Sequence, residues 1–292
     1  MTARILVTGV TGQVGFELVR ALQGLGDVFA ADRQAFDLAK PDQMRSVLRH
    51  YRPSIIVNPA AYTAVDNAEQ DIEGATQLNA YAPALLAEEA ARSGALVVHY
   101  STDYVFDGSK VGAYVESDAT CPQNVYGRTK REGERAIAAS GCAHLIFRTS
   151  WVYGRRGQNF LQTMLRLAAE RPELKVVADQ IGAPTWSNTL ATLTASILAR
   201  NAGPDALDGW LEKSGIYHLT AGGSTTWAGF AEAIFQEAGL EKRPVVHPID
   251  TAAYPTPARR PLNSVMSNAK LEKTFGIQAY DWRHSLRLCL GR

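Results

Sequence analysis

Short, dense apolar runs recur through the first half of the chain, separated by longer segments in which apolar residues return every three or four positions. Ile5-Leu6-Val7, Asp27-Val28-Phe29-Ala30-Ala31, Ile55-Ile56-Val57, Leu96-Val97-Val98-His99-Tyr100 and Leu145-Ile146-Phe147 have the length and composition of buried parallel strands. The segments between them predict helices over about 13–25, 41–50, 77–93 and 124–140. That alternation implies βαβ units and an α/β fold built on a doubly wound parallel sheet. Such sheets bind ligands beyond the carboxyl ends of their strands. The residues that follow each run are therefore the first candidates for a site: Thr8-Gly9, Asp32-Arg33, Asn58-Pro59-Ala60-Ala61, Ser101-Thr102-Asp103 and Arg148-Thr149-Ser150-Trp151.

After Trp151 the texture changes. Gly, Pro and Trp spread more evenly, turns such as Gly182-Ala183-Pro184-Thr185 and Ala221-Gly222-Gly223-Ser224 appear, and helical periodicity returns near 187–201, 226–239 and 281–290. The expected division is a dinucleotide-binding domain over 1–150 and, over 151–292, mainly a smaller substrate-binding lobe, with room for one segment to return to the main sheet.

Composition narrows the function classes. A chain of 292 residues, 46% hydrophobic and 20% charged, can bury a full globular core. Lys+Arg 30 against Asp+Glu 29 leaves a net charge of +1, so no overall field recruits nucleic acid or an anionic membrane. No stretch reaches the roughly 18 apolar residues of a membrane span. Met1–Val7 meets Gly9 before a signal-peptide core develops, so a cytoplasmic location is expected. Cys121, Cys142 and Cys289 form no CxxC pair and the six histidines no HExxH, so no metal is expected.

The chemistry begins at Gly9-Val10-Thr11-Gly12-Gln13-Val14-Gly15, which follows the first strand and opens a helix. Glycines there let the backbone turn and approach a pyrophosphate, which would rest on the helix's unpaired N–H groups. The context predicts a Rossmann-type dinucleotide site. Asp32, 23 residues after Gly9, stands where a carboxylate accepts from the adenosine ribose. Arg33 beside it suits a 2′-phosphate, so the choice between NADPH and NADH stays open. Asp37 and Leu38, and Ala61, Tyr62 and Thr63 after the third strand, lie where the adenine and the middle of the cofactor would pack.

Tyr126 and Lys130, four residues apart, share one helix face. A cation near a phenol with a usual pKa of about 10 tunes it for proton transfer. Thr102, 24 residues before Tyr126, offers a hydroxyl to hold a substrate oxygen beside it.

Taken together, these residues resemble the extended short-chain dehydrogenase/reductase superfamily and, within it, the dTDP-4-dehydrorhamnose reductase family. The likeness runs through Thr11–Gly15, Asn58–Asp66, Ser101–Gly108, Arg148–Gly154, Gln180–Thr185 and Arg260–Ser264. It implies that Gly12, Gln13, Val14, Asp32, Asp37, Leu38, Ala61, Tyr62 and Thr63 bind the nicotinamide cofactor. It further implies that Thr102, Asp103 and Trp151 contact a nucleotide-linked deoxysugar, and that Tyr126 and Lys130 form the catalytic pair. The implied reaction is NAD(P)H-dependent reduction of the C4 keto group of dTDP-6-deoxy-L-lyxo-4-hexulose. Some members dimerise around Mg²⁺ held by carboxylates. Glu17 is present here, but Trp186-Ser187-Asn188 after Thr185 supply no acid, so the expectation is a monomer or weak homodimer. An epimerase or dehydratase, a GDP-sugar reductase and a non-catalytic NADP-binding subunit are the alternatives.

Overall fold

A computed structural model describes residues 3–201 and 206–292. Its centre is a six-stranded sheet of β1 (Ala3–Val7), β2 (Gly26–Ala30), β3 (Ile55–Asn58), β4 (Leu96–Thr102), β5 (His144–Thr149) and β6 (Gly215–His218). The spatial order is β6-β5-β4-β3-β1-β2, and every pairing is parallel. The order reverses between β1 and β3, which opens a crevice at their carboxyl ends.

The side-chain period of two explains why these runs become strands. Leu6, Ile56, Val97 and Ile146 face one side, where they meet Met44 and Leu48 of α2 (Pro41–Tyr51), Leu86 and Ala90 of α3 (Ala82–Ser93) and Ile137 of α4 (Val125–Ala139). Ile5, Val7, Val57, Val98, Leu145 and Phe147 face the other, against Leu18 of α1 (Gln13–Ala21) and Leu190 and Ile197 of α5 (Ser187–Arg200). Each such aliphatic or aromatic side chain contributes roughly 1.5–3 kcal/mol when fully buried.

Beyond residue 150 the chain serves two cores. Helix α5, strand β6 and the helix Ala269–Phe275 pack on the main sheet through Leu190, Tyr217, Leu271 and Phe275. The helices Phe160–Glu170, Trp227–Glu237 and Trp282–Leu290 instead surround Leu161, Phe230, Ile234 and Leu286, beside a parallel strand pair, Glu173–Val177 and Val245–Ile249. None of the described helices is long and apolar enough to cross a membrane.

The periodic stretch expected as one helix over 77–93 is a π-helical turn, Gln77–Tyr81, running into α3. Its cause is Asn79. The side chain is fully buried and bonds Tyr62 N at 2.8 Å, Tyr62 O at 3.1 Å and Thr129 Oγ1 at 3.1 Å. A widened turn aimed at the loop after β3 is the usual functional context of such a bulge.

Candidate active site

The turn after β1 is held by backbone contacts that leave no room for side chains. Gly9 sits at φ +56°, its carbonyl accepts from Gly12 N at 2.9 Å, and Gly15 packs so closely that a Cβ there would stand 2.2 Å from the Gly9 oxygen. Gly12 caps α1 without a side chain, so the first N–H groups of that helix are open to an anion. A Cβ on Gly9 would also lie 2.9 Å from Ala60 Cβ, which places the loop against the chain leaving β3, at the crevice. Val14 packs on the core below, and the Gln13 side-chain oxygen accepts from Asn159 Nδ2 at 2.9 Å. These residues fit a dinucleotide pyrophosphate: a close-approach backbone cradle opens onto free helix donors.

Asp32 uses one carboxylate oxygen to accept from Gln34 N (3.0 Å) and Ala35 N (2.8 Å), which pins the turn after β2. Arg33 is exposed and stands 3.8 Å from Asp37. Asp37 accepts from Ala39 N at 3.0 Å, and Leu38 is buried with its carbonyl bonded to Gln77 Nε2. After β3, Ala61 and Tyr62 are half-buried, Tyr62 is clasped by Asn79, and Thr63 is exposed.

Helix α4 begins with an Asn124 cap that accepts from Gly127 N at 2.8 Å, and this sets Tyr126 and Lys130 at the carboxyl edge of the sheet. Burial pushes the Tyr126 phenol up from its ordinary range, opposed by hydrogen bonding with Thr102 and reinforced by Asp103 and Tyr104. A phenol so held is protonated at neutral pH, the form a reduction needs. Lys130 is 1% exposed and takes partners other than the phenol: Nζ donates to Tyr100 O at 2.6 Å and lies 3.1 Å from His99 Nε2. Burial pulls this amine down to about 7, with the Glu134 charge opposing. The fixed cation expected beside Tyr126 is thus a buried amine poised near neutrality.

Thr102 and Asp103 end β4, both buried. The Asp103 carboxyl accepts from Thr102 Oγ1 at 2.9 Å on one oxygen and from Ser264 Oγ on the other, and burial pushes it up to about 6. Its oxygens therefore engage protein hydroxyls, and it orients Thr102 while tying the chain near Ser264 to β4.

A cavity of about 870 Å³ adjoins this cluster, lined among others by Tyr104, Trp151, Met164, Trp227, Tyr254, Arg260 and Ser264. Tyr104 joins the two regions, its ring edge-on to Tyr126 at 5.5 Å. Trp151 holds φ +49° and stacks on Trp227 at 3.6 Å with an interplanar angle of 7°. Strained non-glycine backbone of this kind costs on the order of 1–3 kcal/mol and clusters at ligand clamps. Gly182 makes the space: a Cβ there would sit 2.5 Å from the indole.

Several of these residues carry no signal that motif reading detects. Asn79, Asn159 and Trp227 reach the site through partners 17 to 146 positions away. A buried Asn inside an otherwise apolar helical run was the one available clue. Among the described residues, no three His, Cys, Asp or Glu side chains converge on a metal site. Glu17 instead accepts from Asn188 Nδ2 at 3.0 Å, and a donor amide beside a carboxylate suits a hydrogen bond, not a shared cation.

Residues 3–292 match the family described as RmlD substrate binding domain. The chain is 49% identical to a dTDP-4-dehydrorhamnose reductase of Burkholderia thailandensis, with 98% of each chain covered. It is 46% identical to the Escherichia coli K12 enzyme of the same name, covering 98% of this chain and 96% of that one. The crystal structure of dTDP-4-dehydrorhamnose reductase from Bacillus anthracis in complex with NADP superposes with a TM-score of 0.91 at 34% identity, over 99% of both chains. The glycine cradle, the Thr102–Tyr126 cluster and this match over nearly the whole length agree, and the chain belongs to the RmlD substrate binding domain family.

Proposed function

We propose that this protein is an NAD(P)H-dependent oxidoreductase that reduces the C4 keto group of dTDP-6-deoxy-L-lyxo-4-hexulose to give dTDP-L-rhamnose. The observation that carries the reading is the Tyr126 phenol, kept protonated by burial and edge-on to Tyr104, which lines the aromatic cavity. The near-full-length similarity to enzymes named dTDP-4-dehydrorhamnose reductase supplies the substrate.

Gly9, Gly12, Gln13, Val14 and Gly15 would hold the cofactor's pyrophosphate, Asp32 and Arg33 its adenosine ribose, and Asp37 and Leu38 the adenine. Ala61, Tyr62 and Thr63 would line the middle of the cofactor. The bound dihydronicotinamide supplies the hydride. The Tyr126 phenol would hold the ketone oxygen and donate its proton to it as the alkoxide forms, joined by the Thr102 hydroxyl once its proton turns from Asp103 to the substrate. Lys130, one helical turn after Tyr126 on α4, would orient the nicotinamide ribose. Trp151, stacked on Trp227, packs against the sugar-nucleotide, and Arg260 offers charge to the diphosphate. Asp103 acts through Thr102. We read the working unit as a monomer or weak homodimer that needs no metal, and the cytoplasm as its location.

The test is NADPH and NADH oxidation with the dTDP-linked 4-keto sugar, beside its GDP-linked counterpart. Stoichiometric oxidation with the dTDP compound and formation of a dTDP-6-deoxyhexose is the expected result. Conversion of a nucleotide sugar with no net consumption of reduced cofactor would indicate an epimerase or dehydratase instead.

A further inference from the structure

We propose that Thr8, Asn58 and His99 form a one-directional hydrogen-bond chain that fixes the proton inventory of Lys130, with His99 a positioning residue held as its neutral Nε2–H tautomer. The proposal rests on Lys130 being part of the catalytic cluster, and it concerns what decides whether Nζ is an amine or an ammonium.

The chain runs from Thr8, just after β1, through Asn58 at the end of β3 to its register partner His99 within β4. Thr8, Asn58 and His99 are each 0% exposed, so water cannot repair a wrong donor. Thr8 Oγ1 donates to Asn58 Oδ1 at 2.6 Å and accepts from Ala60 N at 3.4 Å. With Oδ1 so used, Asn58 turns Nδ2 toward His99 Nδ1 at 3.1 Å. Nδ1 must then be bare, and the ring proton sits on Nε2. That N–H faces Lys130 Nζ at 3.1 Å, where only an amine lone pair can receive it, while Nζ donates onward to Tyr100 O at 2.6 Å.

The opposite direction requires a rotated Asn58 amide and an Nδ1–H ring, and its bare Nε2 lets Nζ be an ammonium as well as an amine. It also leaves the buried Thr8 hydroxyl proton without an acceptor among the described residues. Burial holds His99 well below its usual range, so the ring carries a single proton at neutral pH. The other groups around Lys130 do not reverse the bookkeeping. Glu134, one turn further along α4, is bound on both oxygens by the Arg148 guanidinium of β5 at 2.9 and 2.7 Å, and burial keeps Tyr126 protonated.

The experiment uses the full chain with ¹⁵N-labelled histidine, followed by NMR from pH 6 to 9, with His99→Gln identifying the His99 ring signals. The wild type should show a bare Nδ1 and a protonated Nε2 at pH 7–8. Thr8→Val removes the proton that fixes Asn58, so the ring should shift toward Nδ1–H. The Lys130 midpoint in the pH profile of kcat/KM should then rise by about one unit, a tenfold gain in proton affinity. A wild-type His99 that is Nδ1–H or doubly protonated at pH 7–8 overturns the proposal, as does a Thr8→Val ring identical to wild type. The expected tautomers in both proteins, with no pH limb in kcat/KM, support the chain and refute only the catalytic reading of Lys130.

Discussion

Adding one methyl group at Gly15 should damage dinucleotide binding far more than it damages the fold. The new Cβ would stand 2.2 Å from the Gly9 carbonyl oxygen and 2.6 Å from its carbon, about 1.2 Å short of the ordinary 3.4 Å contact. Both atoms are backbone, so no rotamer relieves the clash, and the amino end of α1 must withdraw from the turn. Hydrogen bonds from backbone N–H operate over about 2.7–3.2 Å, so a displacement of that size removes at least one from a bound pyrophosphate. A charge-assisted bond is worth roughly 1.5–3 kcal/mol, which predicts an NADPH dissociation constant about 10–100 times higher in Gly15→Ala. Overpacking should lower stability by about 1–3 kcal/mol, leaving a folded protein to assay. Calorimetric titration with NADPH measures the effect, with Gly24→Ala as the comparison because a Cβ there meets nothing within 4 Å. If folded Gly15→Ala binds NADPH within about threefold of wild type, the cradle does not hold the pyrophosphate and the reasoning fails.

Arg33→Ala should weaken NADPH by roughly 1.5–3 kcal/mol and leave NADH nearly unchanged, because the exposed guanidinium, only loosely paired with Asp37, is available to a 2′-phosphate. Equal losses with both cofactors in parallel titrations would show that it does not read the phosphate. Buried His218 is pulled down to about 3 by burial, then by the Arg148 charge, from an ordinary 6.5. The unfolded chain therefore binds the proton first, and stability is lost as pH falls from 6.5 toward about 3, on the order of 5 kcal/mol in all. Urea melts of wild type and His218→Phe across that window should show a shallower decline in the variant, and parallel declines would remove His218 as the cause.

The strands and the site's polar ends were legible because they obey local rules. Ile5-Leu6-Val7 and Leu145-Ile146-Phe147 alternate between two helix-covered faces, so each run is apolar throughout, and the glycines sit where a strand meets a helix. The second half was harder to read for physical reasons. Glu173–Val177 finds its partner in Val245–Ile249, some 70 residues on, and strand β6 gains its place only by docking beside β5. The helix Phe160–Glu170 follows a turn-rich stretch, and its one local marker is the Asn159 cap, which accepts from Gln162 N at 3.1 Å. Spacing placed Tyr126 and Lys130 on one helix face but could not say where Nζ points, because its partners lie on β4. Likewise nothing near Asp103 announces that Ser264 would take one of its oxygens.

The central claim is that Tyr126 delivers the proton that completes reduction of the C4 ketone, and single-turnover kinetics of Tyr126→Phe test it most directly. The substitution keeps the ring against Tyr104 and removes only the hydroxyl, so NADPH affinity should change little. General acid catalysis contributes about 10²–10⁴-fold, and the rate of NADPH oxidation with saturating dTDP-linked 4-keto sugar should fall by at least that lower bound. A variant that retains more than about a tenth of the wild-type single-turnover rate, with a deuterium isotope effect from labelled NADPH confirming that hydride transfer is being observed, would contradict the account.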